Sequence, residues 1–205
     1  MLQIKSKYKI AKRLGAAVFE QTQSQRYALS EARTQKAKRR RRNPSDYSRQ
    51  LTEKQKVRYT YGLSEHQFAR YVKEAMAKAD PMAALYKTLE SRLDNVAYRL
   101  GLAPTRRAAR QMASHGHFLV NGTRMTVPSH QMEPGDVLAI REGSKESPLF
   151  AKKGEGEEGQ GGYRPAPAWA AFDFGSMTGS ITGVPQFVPG EGLLDFQVVF
   201  EYYSR

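Results

Sequence analysis

RLDNVAYRLGLAPTRRAARQMASHGHFLVNGTRMTVPSHQMEPGD, residues 92–136, is the stretch that decides the fold. Its punctuation is dense and regular. Gly101 ends an apolar-striped helix. Thr105 can cap a second, shorter helix from Arg106 to about Ser114, with Gly116 just past its end. Asn121-Gly122 after Phe118-Leu119-Val120 is a hairpin turn. Pro134-Gly135-Asp136 is another turn, leading into a strand over Val137–Arg141. Helix, helix, hairpin and strand in this order predict a small α/β unit. The stretch holds six arginines and no lysine. Guanidinium groups fix phosphate and base edges by geometry as well as by charge, so the composition points to a polyanion that is read with direction.

The short helix carries this further. Ala109, Met112 and Ala113 share the face that can pack. Arg107, Arg110, Gln111 and Ser114 lie three or four apart and share another. A merely solvated face usually mixes signs to gain small pair energies, and this one has no acidic partner within the helix. The bland reading, a solvated polar face, is therefore the weaker one.

Upstream, Thr52 with Gln55 and Ser64 with Gln67 fit capping boxes, with Gly62 as a stop between them. From Ser64, the apolar residues Phe68, Tyr71, Val72, Ala75, Met76 and Ala79 form a helical stripe. Asp80-Pro81 reads as an N-cap followed by proline at the first helical position. The spacing of Leu85, Leu89, Leu93, Val96 and Leu100 then predicts one helix running to Gly101. These stripes are core faces. The helix over residues 53–61 is different, because Lys54, Lys56 and Arg58 with Tyr59 and Tyr61 suit either a solvated connector or a helix laid against a sugar–phosphate backbone. Residues 1–43 lack sustained periodicity and read as a basic, extended arm. Its run Arg39, Arg40, Arg41 and Arg42 is too charged to pack; it suits a solvated tail or a segment that orders on phosphate.

Downstream, Gly154–Gly162 reads as a flexible loop. Trp169–Phe174 and Gly179–Val184 read as short strands. The segment from Leu194 onward is ambiguous between helix and strand.

Charge is uneven along the 205 residues, whose net charge is +13. Residues 1–43 carry 13 Lys/Arg against 2 Asp/Glu, residues 44–142 carry 15 against 10, and residues 143–205 carry 5 against 8. A basic N-terminal segment on a moderately basic body suits nucleic acid first and an anionic membrane surface second. There is no cysteine, which excludes disulfides and thiolate-ligated zinc. No apolar run is long enough to span a bilayer. No secretory leader is evident, although a basic, acid-poor N-terminus is compatible with an organellar transit peptide. No nucleophile–base pair and no phosphate loop appears, so neither an enzyme nor a cofactor is expected. His115 and His117 without carboxylate company suit polar contacts better than metal. Asp94 reads as an ion-pair partner on a helix surface.

With these residues in view, the stretch resembles the RNA-binding domain named after small-subunit ribosomal protein four. The match rests on Arg92-Leu93-Asp94, Tyr98-Arg99-Leu100-Gly101, Arg106 with Ala109-Arg110-Gln111, His115-Gly116-His117, Val120-Asn121-Gly122, Val127-Pro128-Ser129 and Pro134-Gly135-Asp136. That domain also occurs on RNA-modifying enzymes and on free-standing heat-shock RNA chaperones. The flanks Ser45-Asp46-Tyr47, Glu53–Arg58, Tyr61-Gly62, Pro167-Ala168-Trp169 and Val198–Arg205 are similar to the ribosomal protein, and the chain is identified as a member of that bacterial-type family. Fewer than about 70 residues follow Asp136, too few for an enzyme domain. A free chaperone would lack the upstream helices.

The resemblance implies an α+β fold: a helical domain with an inserted small α/β RNA-binding domain, plus the basic extended N-terminal arm. The implied division is 1–44 for the arm, 45–90 with 186–205 for the helical domain, and 91–185 for the inserted domain, with 92–142 as its signature core and 150–163 as a flexible loop. The chain's end is expected to return as a helix. Some relatives hold zinc in the arm through cysteines; here the arm must be ordered by RNA or by its own contacts. The implied function is a structural role in the cytoplasmic ribosome. The implied partners are a multi-helix junction in the 5′ domain of small-subunit rRNA, ribosomal proteins five and three, and mRNA near the channel where it enters the subunit, with no membrane. The RNA-binding candidates are Arg106, Arg107, Arg110, Gln111 and Ser114 on the short helix, and Lys54, Lys56 and Arg58 upstream. To these are added Arg39, Arg40, Arg41 and Arg42 in the arm, with His115, His117, Asn121 and Arg124 around the hairpin.

Overall fold

The computed structural model describes residues 4–37, 45–150, 164–188 and 194–204. Arg39–Arg42 and the glycine-rich segment after Phe150 lie outside the described residues. The chain divides into two compact units, residues 1–85 with 187–205, and residues 86–186.

The first unit is helical among its described residues. It holds α1 (Lys7–Leu14), α2 (Gln25–Ala37), α3 (Asp46–Thr60), α4 (Glu65–Met76) and, near the C-terminus, α9 (Phe196–Tyr203). The N-terminal segment is not an extended arm over residues 4–37. Ala11, Leu14, Val18, Phe19 and Tyr27 bury themselves in a small cluster of their own, against which Tyr59 of α3 packs. Own contacts therefore order this segment, and its apolar residues escaped the sequence reading because positions 11, 14, 18, 19 and 27 follow no sustained helical period.

Helix α3 begins earlier than the Thr52 box suggests. Ser45 is its N-cap and accepts from the Ser48 amide at 3.3 Å. Thr52 sits mid-helix, where its hydroxyl donates back to the Ser48 carbonyl, the alternative partner a helical threonine takes. Ser64 does cap α4, accepting from the Gln67 amide. The stripe Phe68, Tyr71, Val72 and Ala75 is buried. Helix α9 packs along α3 and α4, and its Phe196, Val198 and Val199 are buried. Its N-cap, Asp195, accepts from the Val198 amide, which settles the helix–strand ambiguity at the chain's end in favour of helix.

Helix α5 (Pro81–Glu90) starts as expected, with Asp80 accepting from the Ala83 amide. The single helix predicted to reach Gly101 is broken. It stops at Glu90, and α6 (Leu93–Arg99) begins anew. Arg92 is extended and pairs with Gln131 in an isolated bridge. The backbone around 128–132 supplies the reason. The amides of Leu93 and Asp94, which a helix start leaves without intrahelical acceptors, donate to the carbonyls of His130 and Pro128 at 2.8 and 3.1 Å. Met132 in turn donates to Ser91. Apolar period alone cannot register such a break, because the same face stays buried on both sides of it.

The second unit continues with α7 (Arg106–His115), β1 (Phe118–Val120), β2 (Thr123–Met125), β3 (Val137–Ile140), the short α8 (Glu142–Lys145), β4 (Ala170–Asp173) and β5 (Thr178–Ile181). The strands form one antiparallel sheet in the order β2-β1-β3-β5-β4. Thr105 caps α7 by accepting from the Ala108 amide, and Gly116 ends it at φ +72°. Asn121 and Gly122 both take positive φ in the hairpin turn. Phe118 faces Ile140 and Val120 faces Leu138 in register. Those four side chains join Leu93, Val96, Ala109, Met112 and Ala113 of the helices in one core. Gly179 is required between the last strands, where a Cβ would lie 2.5 Å from the Ala171 carbonyl.

Phe118 is fully buried at the centre of this core. Phe118→Ala should destabilise the protein by about 3–5 kcal/mol, read from the denaturant midpoint of a near-UV signal. A loss below about 1 kcal/mol would show that the sheet does not depend on this contact.

Candidate nucleic-acid interface

The interface is built on a buried polar network. Glu90 and Asp94 are 0% and 2% exposed, and each binds arginine. Arg99 grips Glu90 with two bonds of 2.6 and 2.9 Å. Asn95 donates to the same carboxylate at 2.9 Å and accepts from Arg106 at 2.8 Å. Asp94 takes two bonds from Arg92, of 3.0 and 2.8 Å, and one from Arg110 Nε at 2.6 Å. Asp94 is thus an ion-pair partner, but an internal one and not the surface residue expected. Two carboxylates fix three guanidiniums and the Asn95 amide oxygen holds a fourth, that of Arg106; planar bidentate pairing is what makes arginine suited to this.

Over this base the outer face of α7 is polar and basic. Arg107, Gln111, Ser114 and His115 are exposed. Ser114 donates to the Arg110 carbonyl one turn earlier. Arg107 has no carboxylate partner among the described residues. Arg106 is half-buried, its guanidinium 4.2 Å from the Tyr98 ring centroid, and Arg110 leans on Asp94. Arg124 of β2 lies across the end of α7, donating to the His115 carbonyl at 3.2 Å. Gly116 is its seat, since a Cβ there would lie 2.3 Å from Arg124 Nε. The structure therefore brings Arg106, Arg107, Arg110, Gln111, Ser114, His115 and Arg124 together on and beside one helix.

Two neighbouring candidates serve the fold instead. The Asn121 side chain donates to Asp136 at 2.8 Å and accepts from the Val137 amide at 2.9 Å, so it ties the two turns together. His117 shares a 2.9 Å hydrogen bond with Ser144 and meets Phe150 edge-on. Burial, with the charges of His115, Arg141 and Arg124, pushes its pKa down, so it stays neutral at physiological pH.

The three upstream candidates lie in the other unit. Lys54 is only 5% exposed. It pairs with Glu65 at 2.7 Å and sits 4.5 Å from the Tyr202 ring centroid. Arg58 joins the same carboxylate at 3.3 Å, and Lys56 pairs with Glu53 along α3. Lys54 and Arg58 therefore face α4 and α9, contrary to the expectation of a phosphate-binding helix face. Burial pushes the Glu65 carboxyl up, but hydrogen bonds from Lys54 and Tyr203 and the charges of Lys54 and Arg58 outweigh it and hold the pKa low. Tyr203, half-buried and bonded to Glu65, has its pKa raised.

Sequence reasoning missed Glu90 and gave Arg92 and Arg99 no role in the site, because the helix breaks between Glu90 and Leu93 and their spacing matches no helical pair. It also missed Arg164, which lies 3.3 Å from the Tyr98 ring centroid and donates to the Tyr98 and Pro104 carbonyls. Nothing local to residue 164 signals that contact. Among the described residues no cluster of three His, Cys, Asp or Glu could hold a metal, and no helix is long and apolar enough to cross a membrane.

Comparison with known proteins agrees with this layout. Residues 91–138 match the S4 domain, and residues 3–93 match the ribosomal protein S4/S9 N-terminal domain. The chain is 44% identical over 162 residues to small ribosomal subunit protein uS4 of Persephonella marina, covering 78% of this chain and 77% of that one. It is 41% identical over 170 residues to the protein of the same name from Syntrophomonas wolfei, covering 81% and 78%. For the Mycobacterium ulcerans protein the figures are 44% over 162 residues, covering 78% and 79%.

Asp94→Asn removes the charge that Arg92 and Arg110 share and turns an amide donor toward guanidinium donors. It should cost about 3 kcal/mol or more, measured by denaturation, and a neutral effect would remove Asp94 from the core of the site. Glu65→Gln should behave differently with pH. A depressed carboxyl pKa adds stability above its unfolded value and loses it as pH falls through the folded one. The variant should therefore be less stable than the parent near neutrality, with the gap closing below about pH 4. A gap that does not change with pH would contradict the depressed pKa.

Proposed function

The chain belongs to the small-subunit ribosomal protein uS4 family, and from that premise we propose that it is a primary rRNA-binding protein of the small subunit, working in the cytoplasmic ribosome. Its target is a multi-helix junction in the 5′ domain of small-subunit rRNA. There it nucleates assembly, and in the finished particle it contributes to translational accuracy beside ribosomal proteins five and three and near incoming mRNA.

The observation that carries this reading is the α7 face. Arg107, Gln111 and Ser114 stand exposed above guanidiniums already oriented by Glu90, Asp94 and Asn95. Fixed donors lose little conformational freedom on binding. A junction of RNA helices crowds phosphates, so it rewards several guanidiniums held at set positions. Non-sequence-specific attraction comes with it, because each neutralised phosphate releases counterion. The exposed amide of Gln111 and hydroxyl of Ser114 add hydrogen-bonding groups that can approach riboses or base edges.

No buried nucleophile beside a base occupies this face, which suits binding without chemistry. The helical unit upstream and the helix α9 that completes it favour a ribosomal protein over a free-standing chaperone or a modifying enzyme.

The purified protein should bind a 5′-domain rRNA fragment tightly, and affinity should fall about a thousand-fold or more between 50 and 200 mM salt. Arg107→Lys with Arg110→Lys keeps the charge and should still weaken binding, because lysine cannot reproduce the fork. Equal affinity for an unrelated structured RNA at moderate salt would overturn the specific reading. Unchanged affinity in the double variant would reduce these arginines to charge alone.

A further inference from the structure

The N-terminal segment holds a feature that α7 binding does not use. Tyr8 on α1 is 58% exposed, yet its ring is held. It stacks on Tyr27, with centroids 6.0 Å apart and planes 29° apart. Tyr27 is itself buried among Ala11, Leu14, Val18 and Phe19. One tyrosine is the anchor, and the other is presented to solvent by it.

The setting is cationic. Lys5, Lys9, Arg13 and Arg26 are all exposed nearby in the chain, and none has a carboxylate partner among the described residues. The Tyr27 hydroxyl is buried without a hydrogen-bond partner among those residues. An oriented exposed ring with unpaired cations close to it in the chain suits a base and its flanking phosphates. A lipid surface or an apolar protein partner would call for a wider apolar patch, and the other large exposed apolar side chain of these helices is Leu29.

We propose that Tyr8 is a stacking platform for an unpaired RNA base, with Lys5, Lys9, Arg13 and Arg26 drawing in the adjoining phosphates. The site lies in a different unit from α7 and rests on the reading of the protein as RNA-binding.

The test uses the full chain and three variants, Tyr8→Phe, Tyr8→Leu and Tyr8→Trp, against single-stranded oligoadenylate, a perfect RNA duplex and the 5′-domain fragment. Leucine keeps an apolar contact with Tyr27 but has no π-face. Tyr8→Leu should lose about tenfold in affinity for oligoadenylate, Tyr8→Phe should bind as the parent does, and Tyr8→Trp should bind at least as tightly. Duplex binding should not change, because its bases are already stacked. The salt slope should also stay constant, since a stacked base releases no counterion. Equal binding by Tyr8→Leu and the parent would overturn the proposal, as would an equal loss on duplex. Unaltered fragment binding by Tyr8→Leu, with a loss in the α7 variants, would remove the platform and leave the α7 reading intact. A parent with no preference for the fragment, but a Tyr8-dependent affinity for oligoadenylate, would do the reverse.

Discussion

The second unit depends on one buried carboxylate. Asp94 holds Arg92, the extended residue before α6, and Arg110 in the middle of α7. Its own amide is bonded to the Pro128 carbonyl, and Arg92 bridges Gln131. The start of α6, the middle of α7 and the segment before Pro134 therefore meet at one side chain. Buried ion pairs add little net stability over a well-packed apolar alternative, because desolvation offsets most of the attraction. What they add is geometry. An apolar substitute could fill the volume but could not tell α7 which way its guanidiniums must point.

The same physics sorts the positive charge of the chain into two kinds. Some cations are internal fittings. Lys54 and Arg58 converge on Glu65 and fasten α3 to α4, while the Lys54 ammonium faces a tyrosine of α9. Arg92 and Arg99 are locked onto Asp94 and Glu90. Others, such as Arg107 and Lys9 of α1, stand in water with no partner among the described residues. Net charge counts both kinds alike, so the long-range attraction of a polyanion overstates the number of groups that can touch it.

That division also marks the limit of what the sequence reveals. Caps and turns were legible because their chemistry is local: Thr105, Ser64, Asp80, Gly116 and Asn121-Gly122 each act within a few residues. The basic face of α7 was legible for the same reason, since Arg107, Gln111 and Ser114 follow helical spacing. The break at Ser91-Arg92 was not, because its cause lies near residue 130. The inward turn of Lys54 was not, because α9 supplies the tyrosines that receive it. Thr52 misled because a helix-interior threonine and an N-cap threonine differ only in which backbone group they bond. The helices of residues 4–37 were hidden because the side chains that build their core, Ala11, Leu14, Val18, Phe19 and Tyr27, are spaced irregularly along the chain.

The placement of α9 has a consequence for synthesis on the ribosome. Gln50 of α3 bonds Glu201 across 151 positions of chain, and the unit that they share resumes only at residue 187. Residues 86–186 form a compact body with its own core, so that body can fold as soon as it has left the exit tunnel. The unit begun first in the chain is completed last. A nascent chain can thus hold a finished α7 while α3 and α4 still wait for the helix that covers them.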